Sequence, residues 1–490
     1  MPTLLHFLNL APLLRRRRAF GFVLGFALFG WLCVFAQAQD PAIDRLFIAD
    51  AVRLLHHSDP LVRGEAALVA ASSRNRDALA QVLPMVADPH AECRQRALLA
   101  LGVFGTAAAI DALDTFLRAA TSRTDADCVV AAFALGMAPE EVASGAVTRL
   151  LATVVQGSWK RQRDLLVALM VGISLQSERR DGAALRRLLD NESNRDPEVR
   201  ALLLHLLLPV DLTLRGSELE RILDRGDAPE RAAVLQWLGS CDERVDSEVL
   251  PQLERLASRG TTAGERAAAV AALTRVHHVR AVELATKALR SSESAEAAAG
   301  VAALLALGGA RMRVPLEQRL LQEHDPDCLA AMLQHYQAPM SAALADHCAH
   351  LATSPAASWA ARAAATVTLA HHRPQRSELL LRNLFRATPQ RDTLLPLAQA
   401  IVRTSQPAPA LSVLLEPGAD LAADLPRWVA LVRAGHPEAM RALLQTLSTR
   451  NPTTATLAAG LSVWRRAVVL RTPVRHGAAL PTALRELLGD

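Results

Sequence analysis

The chain has 490 residues, of which 51% are hydrophobic, so it is long enough to bury an extended core. Alanine and leucine, the strongest apolar helix formers, dominate the hydrophobic residues, whereas aromatic residues make up only 4% of the chain. Sheet-rich folds draw on β-branched and aromatic side chains, so this composition argues against them and predicts an all-α protein.

The formal net charge of +5 comes mainly from the N-terminus. Before Asp40 the only charged side chains are the arginines at positions 15–18, and without them the chain has 50 basic and 49 acidic residues. Phosphate binding needs a dense basic surface. The nearly neutral body therefore argues against nucleic acid as the principal partner.

Residues 1–38 have the layout of an export segment. Arg15–Arg18 precede an uncharged apolar run over residues 19–36, and Ala36–Ala38 has the small-x-small pattern of a cleavage site. Because the run also approaches the length of a spanning helix, two interpretations stay open. The segment is either a signal peptide cleaved after Ala38 or an uncleaved N-terminal membrane anchor. Either one places the body outside the cytoplasm, since positive charge holds the N-terminus inside.

A unit that begins with Asp-Pro recurs along the body roughly every 30 to 40 residues, a period that fits one helix pair per unit. The clear copies begin at Asp59, Asp88, Asp196 and Asp325. Weaker copies begin near Asp125, Gly157, Asp227, Thr262, Ser294 and Pro355.

Each position of the unit has a predicted role in a helix. Asp is the N-cap and Pro the first helical residue, and the Ala/Leu run that follows lets neighbouring helices pack closely. Glycine is predicted to end the helix in a left-handed conformation. These glycines are Gly102, Gly136, Gly172, Gly239 and Gly308. A second amphipathic helix follows, as in residues 107–117.

The full unit, Asp-Pro-x-Val-Arg-x-x-Ala-Ala-x-x-Leu-Gly with a second helix, resembles the HEAT repeat. The resemblance is to the short bacterial HEAT-like form that is also found in phycobilin lyases. It covers residues 45–370 and implies a right-handed α-solenoid of helix pairs. Arg63 and Arg200 match the motif arginine, which in the family ties adjacent repeats together.

The predicted organisation has three parts. Residues 1–38 form the signal peptide or anchor, residues 39–376 form the HEAT-like array, and residues 377–490 form degenerate helical repeats and a C-terminal cap. In the last part the motif fades and prolines are frequent. Helices are still expected over residues 394–404, 425–447 and 454–469.

One repeat brings together side chains of the types that bind zinc. They are His324, Cys328, His335, His347, Cys348 and His350. His324 and Cys328 are spaced for one face of a helix, and His347 and His350 for one face of its partner. The alternative is that the cysteines fill small core positions and the histidines lie near helix ends. We adopt this alternative, so no catalytic, cofactor-binding or metal-binding residue is assigned.

The remaining distinctive side chains are predicted to be structural. Scattered cysteines in helical patterns predict buried free thiols, tryptophans in separate repeats predict packing between repeats, and His-His pairs are expected near helix ends. The other cysteines after the leader are Cys93, Cys128 and Cys241. The tryptophans are Trp159, Trp237, Trp359, Trp428 and Trp464. The pairs are His56-His57, His277-His278 and His371-His372.

HEAT-like arrays bind other proteins along an extended concave surface. Together with the export segment, the resemblance implies a protein-binding scaffold outside the cytoplasm, periplasmic, secreted or membrane-anchored, without a cofactor. Two alternatives stay open. The phycobilin-lyase type implies a lyase or isomerase, and a permanent anchor implies a structural component of an envelope complex.

Overall fold

The computed structural model of the chain describes residues 51–464 and 481–488, with interior gaps. The gaps are residues 74, 121–124, 157–158, 176–181, 191–195, 210–213, 215, 242–246, 390, 405–423, 436–438, 440–441 and 444–452. The export segment predicted over residues 1–38 lies outside the described residues, so it stays a prediction.

The described residues are helical and contain no β-strand. Up to residue 404 the helices alternate between an inner and an outer layer. The inner helices are α1 (Pro60–Ser72), α3 (Ala91–Phe104), α5 (Ala126–Met137), α7 (Trp159–Ser174), α9 (Pro197–Leu207), α11 (Ala228–Ser240), α13 (Ala263–Arg275), α15 (Ser294–Gly308), α17 (Pro326–His335), α19 (Trp359–His372) and α21 (Arg391–Thr404). The outer helices are α2 (Arg76–Val82), α4 (Ala107–Ala119), α6 (Glu140–Gln156), α8 (Gly182–Asp190), α10 (Ser217–Arg225), α12 (Leu250–Arg259), α14 (Ala281–Leu289), α16 (Arg313–Gln322), α18 (Ala342–Thr353) and α20 (Pro374–Ala387). Three further helices follow, α22 (Leu425–Arg433), α23 (Thr454–Trp464) and α24 (Thr482–Leu488).

The Asp-Pro units begin inner helices in three of the four clear copies. Asp59, Asp196 and Asp325 each accept hydrogen bonds from backbone amides of the first helical turn, and a proline follows each of them in the helix. The predicted cap at Asp88 is wrong, because α3 begins later, at Ala91. The Asp88 carboxylate accepts hydrogen bonds from the amide of His90, which precedes the helix, and from Arg63 of the preceding repeat.

The predicted role of glycine as a helix terminator is also wrong. Gly102, Gly136 and Gly172 lie inside their helices, and among the described glycines only Gly105, Gly216, Gly309 and Gly435 have positive φ. A Cβ on Gly102 would collide with the backbone of Ala134 in the next inner helix. These glycines therefore allow neighbouring inner helices to touch backbone to backbone.

The other two predicted terminators also lack the left-handed conformation. Gly239 lies inside α11, whereas Gly308 does end α15 but has a negative φ of −110°. The next residue, Gly309, has a positive φ of 55°.

Arginine–carboxylate pairs connect successive repeats along one end of the inner layer. They are Arg63–Asp88, Arg94–Asp127, Arg163–Asp196, Arg200–Glu230, Arg231–Glu265 and Arg266–Glu296. Arg63 and Arg200, the two residues matched to the motif arginine, both belong to this set. Arg200 also donates to the carbonyl oxygen of Leu189 in α8, so one side chain ties two inner helices and an outer helix.

The inner layer closes on itself within the described residues. Each inner helix contacts the next one, α21 contacts α22, α22 contacts α23, and α23 contacts α1. The two faces of α23 join different cores: Leu457 and Leu461 pack in the core that contains α1, whereas Ala459 and Val463 pack in the core that contains α22. The array is therefore a closed ring of inner helices.

One continuous helical stretch among the described residues, Ser294–Gln322, is long and apolar enough to span a membrane by length and composition alone. It comprises α15, the 3-10 turn Gly309–Met312 and α16. A core helix of a soluble protein satisfies the same criterion. Here α15 packs between α13 and α17.

Candidate binding groove on the inner layer

The first part of the inner layer is covered on all sides. In α1 residues 64–71 are buried without interruption, and so are residues 97–102 of α3, 127–136 of α5 and 165–173 of α7. A helix in a two-layered array has one face left after its lateral and outer neighbours are packed. Burial around the whole circumference means that this last face is covered as well.

The chain's own C-terminal helix contributes this cover. Helix α24 contacts α5, and its residues Leu484 and Leu487 are buried in the same apolar core as α5. Helix α23 packs beside α1 as its neighbour in the ring, through Leu457 and Leu461. The motif-poor C-terminal end of the chain therefore packs on the first repeats.

The inner face is open from α11 to α21. A cavity of about 610 Å³ lies between α11 and α17, and a second one of about 840 Å³ lies between α17 and α21. Gln334 lines both cavities, so they adjoin along the inner helices, and we call the two together the inner groove. The volume of each cavity is in the range of pockets that bind ligands.

The floor of the inner groove is built from alanine. In the first cavity most of the lining side chains are alanines of α13, α15 and α17. They are Ala271, Ala295, Ala298, Ala299, Ala302, Ala303, Ala306 and Ala331. Because alanine has only a methyl group, the groove is both apolar and deep enough for larger side chains of a bound molecule.

Basic side chains line one rim of the inner groove, where the inner helices end. Arg275 is the last residue of α13, His335 is the last residue of α17, His371 is the penultimate residue of α19, and Arg403 is the penultimate residue of α21. Cationic side chains are favoured at helix C-termini by the helix dipole. Asp392, the single carboxylate that lines the two cavities, lies at the other end of α21.

The family profile described as HEAT repeats matches residues 48–136, which contain α1 to α4 and most of α5. The later Asp-Pro units and their connecting arginine pairs have the same local structure as this segment. The chain carries HEAT repeats. No curated protein matches the chain.

A solved structure similar to this chain is that of an engineered protein from the Northeast Structural Genomics Consortium. It is 13% identical, and the match covers 85% of this chain and 97% of that one, with a TM-score of 0.23. A score this low does not establish a shared overall shape. The HEAT assignment therefore depends on the sequence profile and on the helix pairs themselves.

His277 has a left-handed backbone at the groove rim of this HEAT array, with φ 51°. The amide of His278 donates to Leu273 and that of His277 donates to Thr274, which is the hydrogen-bonding pattern of a Schellman motif. Glycine is favoured at this position because it has no Cβ.

His277→Gly is therefore expected to raise the free energy of unfolding by up to about 1 kcal/mol. Urea denaturation of the two proteins checks this prediction. A clear loss of stability would mean that the imidazole has a stabilising contact that outweighs the strained backbone.

The fold separates the side chains that the sequence analysis considered as zinc ligands. Among the described residues no group of three or more His, Cys, Asp or Glu side chains is placed to hold a metal ion. Cys328 and Cys348 are buried in the core. Burial, together with the neighbouring Glu323, raises the pKa of the Cys328 thiol to about 11, and burial raises that of Cys348 to about 12. Both are therefore neutral core thiols at neutral pH.

The histidines of that cluster separate into two groups. Burial lowers the pKa of His347, and the nearby His350 and His324 lower it further, which places these three on the same side of the repeat. His335 lines the inner groove instead, and partial burial lowers its pKa. At neutral pH the imidazoles of His335 and His347 are therefore mainly uncharged.

The His-His pairs do lie at helix ends, and two of them also supply residues to the groove rim. His371 and His372 are in the last turn of α19, and His277 follows α13. His277, His335 and His371 line the inner groove together, which the sequence did not indicate. In the sequence, these three histidines share one feature: each lies at or just after the end of an inner helix of a repeat.

Tryptophan is used for packing where its side chain is described. Trp237 packs partly buried against the main core, and Trp428 is buried in the C-terminal core. Trp359 is half-buried, with the Arg362 guanidinium 4.5 Å from its ring centre. The side chains of Trp159 and Trp464 lie outside the described residues.

Proposed function

We propose that this chain is a protein-binding scaffold that works outside the cytoplasm, with the inner groove as its binding surface. The observation that carries the proposal is the contrast between the two parts of one layer. From α1 to α7 the inner face is covered by the chain itself, whereas from α11 to α21 the inner face is open and its first cavity is lined mainly by alanine. A concave and largely apolar surface is typical of a binding site.

The location rests on the N-terminal sequence. Arg15–Arg18, the apolar run over residues 19–36 and the cleavage pattern at Ala36–Ala38 support export of the HEAT array, as a cleaved or an anchored protein. The repeat resemblance further supports a right-handed course of the helix pairs. Mass spectrometry of the protein from its natural host tests the location. A mature chain that begins at Gln39 supports secretion, and retention of Met1 in a membrane fraction supports the anchor.

Capture of partners from envelope extracts tests the binding role. Ala306 is exposed in the inner groove, so Ala306→Arg adds bulk and charge there without entering the core. Val282 is 50% exposed on outer helix α14 and provides the matched control, Val282→Arg. We expect proteins retained by the wild-type chain and by Val282→Arg to be lost with Ala306→Arg. Equal retention by all three would contradict binding in the inner groove.

A further inference from the structure

We infer that the inner groove binds an amphipathic helix of a partner protein, one that presents leucines to the groove and carries acidic residues along one flank. This inference rests on the proposed function and names the class of partner. The packing of the chain's own C-terminal helices on the inner helices supports it, as does the charge at the rim.

The chain shows what packs on its inner layer. Helix α24 buries Leu484 and Leu487, three residues apart, in the apolar core that contains α5. Helix α23, the neighbour of α1 in the ring, buries Leu457 and Leu461, four residues apart, in the same core. Both spacings put the two leucines on one helix face, so leucine pairs of this kind pack against the inner helices.

The receiving surface is similar in the covered and open parts. Residues 64–71 of α1 include Ala66, Ala67, Ala70 and Ala71, and the groove floor is again alanine. Small side chains on this surface let a second helix approach closely, and the leucines of that helix fill the space between the alanines. The first cavity crosses three helix intervals of about 8–10 Å, so a bound helix of about 16–20 residues would span it.

The rim defines the charge of the partner. Arg275 of α13 and Arg403 of α21 lie along one side of the inner groove and are charged at all physiological pH values. Asp392, the one carboxylate that lines the groove, lies at the other end of α21 and therefore on the opposite side. Acidic residues along one flank of the bound helix complement this distribution and fix its orientation.

A random-peptide display selection tests the partner class. The chain, in the form that its host produces, is the bait, and Ala306→Arg is used for counter-selection. We expect enriched peptides to have leucines at i, i+3 or i+4 and i+7 with acidic residues along one flank of the same helix. The corresponding synthetic peptide should bind Ala306→Arg at least about tenfold more weakly than it binds the wild-type chain or Val282→Arg. Replacing its acidic residues by lysine should weaken binding to a similar extent.

Other outcomes overturn the inference in distinguishable ways. If the enriched peptides depend on the groove but are basic, proline-rich or without helical leucine spacing, the partner class is wrong and the groove remains a binding surface. If no groove-dependent peptide is enriched while protein capture still depends on Ala306, the partner is not a simple helix. If neither depends on Ala306, the proposed function fails as well.

Discussion

Gly136→Ala should lower the free energy of unfolding by about 2–3 kcal/mol, the upper part of the range for overpacked cores. Gly136 in α5 and Gly172 in α7 face each other, with 2.9–3.0 Å between the Cα of either one and the Cβ that the other lacks. A Cβ at 136 would collide with the carbonyl oxygen of Leu169 and lie 2.9 Å from the amide nitrogen of Ile173. Backbone atoms cannot rotate away, so the two helices must separate.

The measurement is the urea midpoint of unfolding, with Gly145→Ala as the control. Gly145 is also inside a helix, α6, but the nearest atom to its missing Cβ is the flexible Arg149 side chain at 3.5 Å. Alanine is the better helix former, so Gly145→Ala should stabilise by about 0.5–1 kcal/mol. Similar effects of the two substitutions would contradict backbone contact between α5 and α7.

Arg231→Met should destabilise the protein by about 3 kcal/mol, the lower part of the range for breaking a buried ion pair. Arg231 lies 2.6 Å from the Glu265 carboxylate and also donates to the carbonyl oxygen of Gly226. The Glu265 side chain is only 4% exposed, so methionine would leave a buried charge without its cation. Arg255→Met is the control, since Arg255 and Asp224 pair at 47% and 43% exposure. Exposed pairs contribute at most about 1 kcal/mol.

The effect of Arg231→Met should depend on pH. Burial alone would raise the pKa of Glu265, but hydrogen bonds from Thr261 and Arg231 outweigh it and hold this pKa below its ordinary value. A lowered carboxylate pKa stabilises the folded state above the unfolded pKa of about 4.3, and this contribution is lost as pH falls through the folded value. The difference between the two proteins should therefore be large at pH 7 and narrow below about pH 4. A difference that is independent of pH would contradict the ion-pair explanation.

Local features were predictable from the sequence because they depend on neighbouring residues. Asp59-Pro60 and Asp196-Pro197 specify a cap and a first helical residue, so the helix starts follow from them. Asp88 has the same motif, yet its helix begins later, at Ala91. Binding by an arginine of the preceding repeat does not explain this difference, because Arg163 binds Asp196 in the same way and Asp196 still caps its helix.

Contacts between distant residues were not predictable in this way. Gly136 looks like a helix terminator in sequence, and only the distance to α7 shows that it is a contact point. The inner groove was not predictable from the sequence for a related reason. Alanine in α1 is buried and alanine in α15 lines an open cavity, so composition alone cannot distinguish the covered part from the open part.

The contact between the C-terminal helices and the first repeats was the feature least predictable from the sequence. Residues 377–490 lack the repeat motif, and their division from the array stays a prediction. In the sequence, Leu457 and Leu461 are equally compatible with a terminal helix that packs only on the helix before it. The structure instead places them against α1, at the opposite end of the chain.

Amide hydrogen exchange in Leu461→Ala tests the closed array, on which the covered part and the open groove both depend. Leu461 is 1% exposed, and its truncation should cost about 2–5 kcal/mol of packing at this junction. Exchange over residues 60–72 should therefore accelerate, while residues 263–275 stay unchanged. Leu379→Ala, at a position that is 69% exposed, should alter neither segment. Acceleration confined to residues 425–464, with α1 still protected, would contradict closure of the array.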